Sequence, residues 1–145
     1  MKRLFLSIVC LTLLGTVAFA GNDKPITVDQ LPQTVQQFIK KYFADTEVSY
    51  AKVESEIFDK SYEVIFVNGC KVEFNKQGEW TDVDCKYAEV PAGIVPQKIQ
   101  EFVAKNHPNT KVIEIDKDKR DYELKLSSRV ELKFDLQENF MGYDD

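Results

Sequence analysis

A lone histidine, a surplus of carboxylates and a pair of cysteines are the side chains through which this chain could do chemistry. His107 stands before Pro108, in a stretch (Asn106-His107-Pro108-Asn109) that ends a helix. General acid–base work needs a placed partner, and a His-rich zinc site needs a second histidine that the sequence does not contain. Neither a glycine-rich phosphate loop nor a nucleophile elbow is present. Asp82 and Asp84 share one face of a strand, and Asp144 and Asp145 are adjacent. Two acids on a strand could help hold Ca2+, but that ion takes six or more oxygens and no EF-hand spacing supports it. A solvated acidic sheet face is the plainer reading. No catalytic, cofactor or metal residue is assigned, and the chain reads as a non-enzyme.

The cysteines must be placed by compartment. Residues 1–20 read as a secretory signal: Lys2 and Arg3, then the apolar run Leu4 to Val17, then the small-x-small site Ala18-Phe19-Ala20. The run is short for a membrane span. Ser7-Ile8-Val9 before Cys10 does not resemble a lipoprotein site. The expected protein, residues 21–145, is periplasmic or secreted and has no membrane span after cleavage. Its formal charge is more negative than the −5 of the whole chain, because Lys2 and Arg3 leave with the signal. That charge disfavours nucleic acid and anionic lipid as partners and points to a protein partner. Cys70 and Cys85 remain, in a compartment where a disulfide persists.

The elements that position these residues are written twice. Leu31-Pro32-Gln33-Thr34-Val35-Gln36-Gln37-Phe38-Ile39 aligns with Val95-Pro96-Gln97-Lys98-Ile99-Gln100-Glu101-Phe102-Val103 at an offset of 64. After a deletion of four residues the offset becomes 60. Ser61-Tyr62-Glu63-Val64 then matches Asp121-Tyr122-Glu123-Leu124, Val72-Glu73-Phe74-Asn75 matches Leu132-Lys133-Phe134-Asp135, and Trp80 falls on Phe140. Each copy opens with an amphipathic helix, Val35, Phe38, Ile39 and Tyr42 in the first and Ile99, Phe102 and Val103 in the second. Pro32 and Pro96 suit the first helical turn. Alternating strands follow, with turns at Asn68-Gly69 and Asn75-Lys76-Gln77-Gly78. The first strand runs from Val48 through an irregularity to Ile57, and the last of the first copy from Trp80 to Cys85.

The fold class is therefore α+β, a tandem repeat of a helix and a four-stranded antiparallel meander. The repeats span about 26–85 and 90–144. A single domain with one shared sheet of roughly eight strands and both helices on one face is expected, because units of roughly 60 residues bury little alone. Two domains on a flexible Lys86–Gly93 connector are the alternative.

A four-residue loop at Lys76–Glu79 would set Asn75 opposite Trp80, Phe74 opposite Thr81, Val72 opposite Val83 and Cys70 opposite Cys85. The register makes Cys70 and Cys85 a disulfide candidate, with two packed thiols as the alternative. The copies differ where function could reside. Ile65 and Val67 stand where the second copy has polar residues, and Trp80 and Tyr50 could extend a partner surface there.

The motifs Leu31-Pro32, Tyr62-Glu63-Val64, Val72-Glu73-Phe74-Asn75 and Gly78-Glu79-Trp80, with their second-copy equivalents, resemble the PepSY-like, β-lactamase-inhibitor-like family of exported proteins of Bacteroides-type bacteria. The likeness covers residues 26–144, and Glu138-Asn139-Phe140 departs from it where the first copy has Gly78-Glu79-Trp80. It implies tandem helix-plus-sheet units and binding rather than catalysis. The motif positions are core and turn residues, so it carries over no binding residue. The expected function is an exported binding module, inhibition of another envelope or secreted protein being one form of it. The alternative is an envelope protein that binds a small ligand or Ca2+.

Overall fold

The computed structural model describes residues 22–144; the expected signal at 1–20 and the acid at Asp145 lie outside them. The chain order is β1 (Asp23–Pro25), a single helical turn (Val28–Gln30), α1 (Gln33–Tyr42), β2 (Val48–Ser55), β3 (Lys60–Phe66), β4 (Lys71–Phe74) and β5 (Trp80–Asp84), followed by α2 (Gln97–Asn106), β6 (Val112–Lys117), β7 (Asp121–Leu126), β8 (Glu131–Asp135) and β9 (Phe140–Asp144). The nine strands form one antiparallel sheet in chain order. The ninth strand beyond the expected eight is β1, which pairs with β2 through Asp23↔Glu54 and Pro25↔Lys52. Three residues ending in Pro show no alternation, so sequence periodicity passes over them.

Both helices lie over the same face. Cross-strand partners point to one side of a sheet, and registered pairs run Ala51, Val64, Val72, Val83, Ile115, Leu124, Leu132. All seven are buried. Phe74, two residues beyond Val72 and so on that face, meets Phe38 of α1 edge-on at 5.1 Å. Phe134 meets Phe102 of α2 the same way at 5.3 Å. Stripping either fully buried Phe to Ala would cost about 3–5 kcal/mol.

The helix starts show how closely the copies agree. Pro32 and Pro96 occupy the N-cap, one position before the first helical residue, each with its carbonyl accepting the first helical bond, from Gln36 N and Gln100 N. Those same glutamines fold back, Gln36 Nε2 donating to Leu31 O at 2.8 Å and Gln100 Nε2 to Val95 O at 3.0 Å. The connector after β5 is docked on the fold: Val90 is buried and its N–H donates to Val112 O, and Tyr42 Oη of α1 donates to Gly93 O at 3.4 Å.

Two details of the first copy differ from the sequence reading. Strand β2 stops at Ser55, leaving Ile57 and Phe58 exposed at the tip of the next turn. The turn after β4 closes with Asn75 N donating to Glu79 O, leaving three residues in the loop, and Phe74 faces Trp80 across an irregularity near Thr81. The shorter loop and the bulge cancel. Val72 still faces Val83, and Cys70 and Cys85 are joined in a disulfide.

That turn is built alike in both copies, with Asn75 Oδ1 accepting from Gln77 N and Glu79 N, and Asp135 Oδ1 from Gln137 N and Asn139 N. Its fourth residue needs a left-handed backbone, Gly78 at φ +79 and Glu138 at φ +67. Helix α1 also presses on Gly78, where an added Cβ would sit against the Thr34 side chain.

Gly78→Ala is expected to destabilise by more than about 1 kcal/mol, whereas Glu138→Gly stabilises by up to about 1 kcal/mol by relieving a left-handed L-residue; denaturant midpoints check both. Replacing Cys70 and Cys85 together by Ser is expected to cost about 3 kcal/mol by loss of loop closure. A mature protein whose unreduced mass is not two hydrogens below its reduced mass would contradict the bridge.

Candidate binding face

Alternation that turns valines and leucines toward the helices turns every intervening residue to the opposite, uncovered face. The registered row there begins at Lys52 and continues through Glu63, Glu73, Asp82, Asp116 and Glu123 to Lys133. Five carboxylates thus stand side by side across β3 to β7, between two lysines. Like charges directly opposite one another are destabilising in a sheet, so folding alone does not explain the arrangement. A parallel row passes Tyr50, Ile65, Lys71, Asp84, Glu114, Lys125, Glu131 and Asp144.

The lysines neutralise the flanks. Lys52 pairs with Asp23 at 2.7 Å and Glu63 at 3.8 Å, and Lys133 with Glu123 at 3.1 Å and Asp121 at 3.3 Å. Lys71 pairs with Glu73 and Lys125 with Glu131, each at 3.4 Å. Among the described residues no lysine or arginine pairs with Asp82 or Asp116, which face each other where the copies meet. Burial in the sheet face, together with the negative charges of Glu73, Glu114 and Asp116, pushes the Asp82 carboxyl up to about 7. Burial likewise raises Glu114, helped by Asp84, and Asp116, helped by Glu123. These groups border an open depression of about 340 Å³.

A cation, a proton or a basic side chain would relieve this repulsion. Among the described residues no group of three or more His, Cys, Asp or Glu side chains is arranged to hold a metal ion. His107 meets Tyr143 instead, Nε2 lying 3.3 Å from the hydroxyl.

The residues singled out in the sequence fall in three places. Cys70 and Cys85 are joined. Tyr50 and Ile65 are cross-strand neighbours on the open face, and Val67 is exposed in the turn just after β3. Trp80 is opposite Phe74 and packs on the helix side, 6.5 Å from Tyr122, so it does not extend the Tyr50–Ile65 surface. The bulge beside it sets that orientation. Sequence reasoning noticed Asp82 and Asp84 and missed the row. The row exists only through the β5–β6 register, which joins residues of different copies.

The chain matches the family described as "Putative beta-lactamase-inhibitor-like, PepSY-like" over residues 19–59 and 60–142. Three of the solved structures similar to it are as follows. A "putative calcium-regulated periplasmic protein" of Bacteroides thetaiotaomicron shares 56% identity at TM-score 0.81, over 85% of this chain and 97% of that one. A "putative periplasmic protein" of the DUF2874 family from Bacteroides vulgatus shares 54% at TM-score 0.82, over 88% and 100%. A "putative periplasmic protein of unknown function", also of Bacteroides vulgatus, shares 34% at TM-score 0.80, over 85% and 99%. A comparison with curated proteins gives no match. Among the described residues no helix is long and apolar enough to cross a membrane.

The raised Asp82 fixes the sign of a pH effect. Between its unfolded value of 3.8 and its folded value of about 7, the native state holds more protons than the unfolded one, so this group's contribution to stability falls as pH rises through that window. Asp82→Asn is therefore expected to raise Tm more at pH 8 than at pH 5. An equal shift at both pH values would contradict the assignment.

Proposed function

We propose, for a periplasmic chain that belongs to the PepSY-like, β-lactamase-inhibitor-like family, that it works as a non-enzymatic binding protein whose acidic sheet face engages and occludes a basic surface on another exported protein. The carrying observation is the row of five carboxylates from Glu63 to Glu123 on the face that neither helix covers. Its repulsion is maintained at the expense of stability, and a basic partner converts that repulsion into attraction. Such a face also steers encounter over several ångströms and does so less at high salt. Tyr50 and Ile65 add an apolar margin at one end, beside the exposed Val67.

A second reading, cation binding, is favoured by the same unpaired Asp82 and Asp116 and by the description of one relative as "calcium-regulated". Ca2+ takes six or more oxygens, so on this face it would act by screening the row rather than by entering a preformed cage.

Capture from periplasmic extract with crosslinking, followed by titration of the captured protein, separates the two. Binding is expected to weaken with salt, to be lost on combining Asp82→Lys with Asp116→Lys, and to weaken in Ile65→Lys with the fold intact. If no protein is captured, and Ca2+ raises Tm in the native chain but not in the Asp82→Asn, Asp116→Asn variant, the cation reading replaces the first. Turnover that persists through stringent repurification would refute both.

A further inference from the structure

The last strands of the two copies, β5 and β9, are the same strand in different surroundings. Each has five residues. Strand β5 meets β4 through Lys71↔Asp84, Val72↔Val83, Glu73↔Asp82 and Phe74↔Trp80, with a bulge beside Phe74. Strand β9 meets β8 through Glu131↔Asp144, Leu132↔Tyr143, Lys133↔Gly142 and Phe134↔Phe140, with a bulge beside Phe134. The registers agree residue for residue. On its other side β5 is covered by β6, through Asp82↔Asp116, Val83↔Ile115 and Asp84↔Glu114. Among the described residues no strand covers the corresponding side of β9.

Burial records the difference. Val83, next to Ile115, is 0% exposed, whereas its counterpart Tyr143 is 58% exposed; Met141 is also 58% and Phe140 37% exposed. The sheet's opposite edge is guarded: β1 has only three residues and carries Lys24 and Pro25, two standard protections against strand addition. Strand β9 has neither residue and leaves Gly142 at its centre, with nothing within 4 Å of where a side chain would be.

From these observations we propose that the outer edge of β9 accepts an extended segment of another protein, adding it to the sheet as β6 is added to β5. The segment runs antiparallel to β9. It places an apolar residue beside Tyr143, where Ile115 stands beside Val83, and a basic residue on the open side facing Asp144, which is itself registered with Glu131. Backbone bonds supply the affinity and the alternating side chains the selectivity. A second copy of this chain fits less well: pairing two β9 strands brings together two molecules that each carry net negative charge, and the edge of β2 that would mimic β6 is already held by β1. Asp144 also lines the depression beside the carboxylate row, but the backbone edge of β9 lies outside that row, and its use does not depend on the function proposed for the row.

The test uses the mature protein and two labelled peptides, acetyl-Thr-Val-Lys-Val-Lys-Val-Thr-amide and its glutamate counterpart. Fluorescence polarisation reports binding, and hydrogen exchange reports protection at Phe140–Asp144. The lysine peptide is expected to bind and to slow exchange across β9. Asp144→Lys should weaken it roughly tenfold and make the glutamate peptide the better ligand. Glu56→Gln, in the turn after β2 at the far side of the sheet, should leave both affinities unchanged. Three results overturn the proposal: no slowing of exchange in β9 at saturating lysine peptide, binding lost in Asp82→Asn but indifferent to Asp144→Lys, or a peptide-free protein that sediments as a dimer with β9 already protected. The second of these would place binding on the carboxylate row, and the third would assign the edge to a second copy.

Discussion

The pairing of β5 with β6 is the constraint from which the rest of the molecule follows. Without it, each copy is a helix over a few strands, about 60 residues, too small to bury much of its own chain. With it, Val83 and Ile115 close a hydrophobic row that crosses both copies, and one core receives both helices. The same register has an electrostatic consequence on the other side. It sets Asp82 against Asp116, so the contact that completes the core also creates the point of greatest repulsion. Core and acidic face are two sides of one ladder, set by one register.

The helices and most strands were legible because their periodicities are local. Val35, Phe38 and Ile39 repeat at helical spacing whatever surrounds them, and Asn68-Gly69 marks a turn by its own backbone needs, with Gly69 at φ +93. The disulfide was also within reach, since a count back from one turn set Cys70 opposite Cys85. That count reached the right pair through a loop one residue too long, because the bulge beside Phe74 absorbed the difference. What stayed hidden depends on pairing between distant segments. Strand β1 is too short to alternate, Trp80 is turned to the helix side by the bulge, and the carboxylate row is assembled from both copies.

Divergence between the copies follows the backbone's demands. At the turn after β4 and after β8, Asn75 and Asp135 do the same work because both offer an oxygen to two amides. Gly78 and Glu138 then share a left-handed backbone, and at Gly78 the Thr34 side chain of α1 makes the absence of a Cβ a packing requirement as well. Cys70 faces Cys85 in the first copy, whereas Val130 holds the equivalent place in the second. Such positions tolerate exchange when the hydrogen bonds and volume of the core survive it.

The strict chain order of the sheet has a kinetic meaning. An exported polypeptide crosses its membrane as an extended thread and emerges from one end to the other. Here each strand pairs only with its neighbours in sequence, and six of the eight ladders are closed by a short turn; only β1–β2 and β5–β6 must wait for a helix between their partners. Contacts between near neighbours form quickly. Each hairpin can therefore pair as soon as its second strand is clear of the pore, while the shared core waits for β6 to join β5.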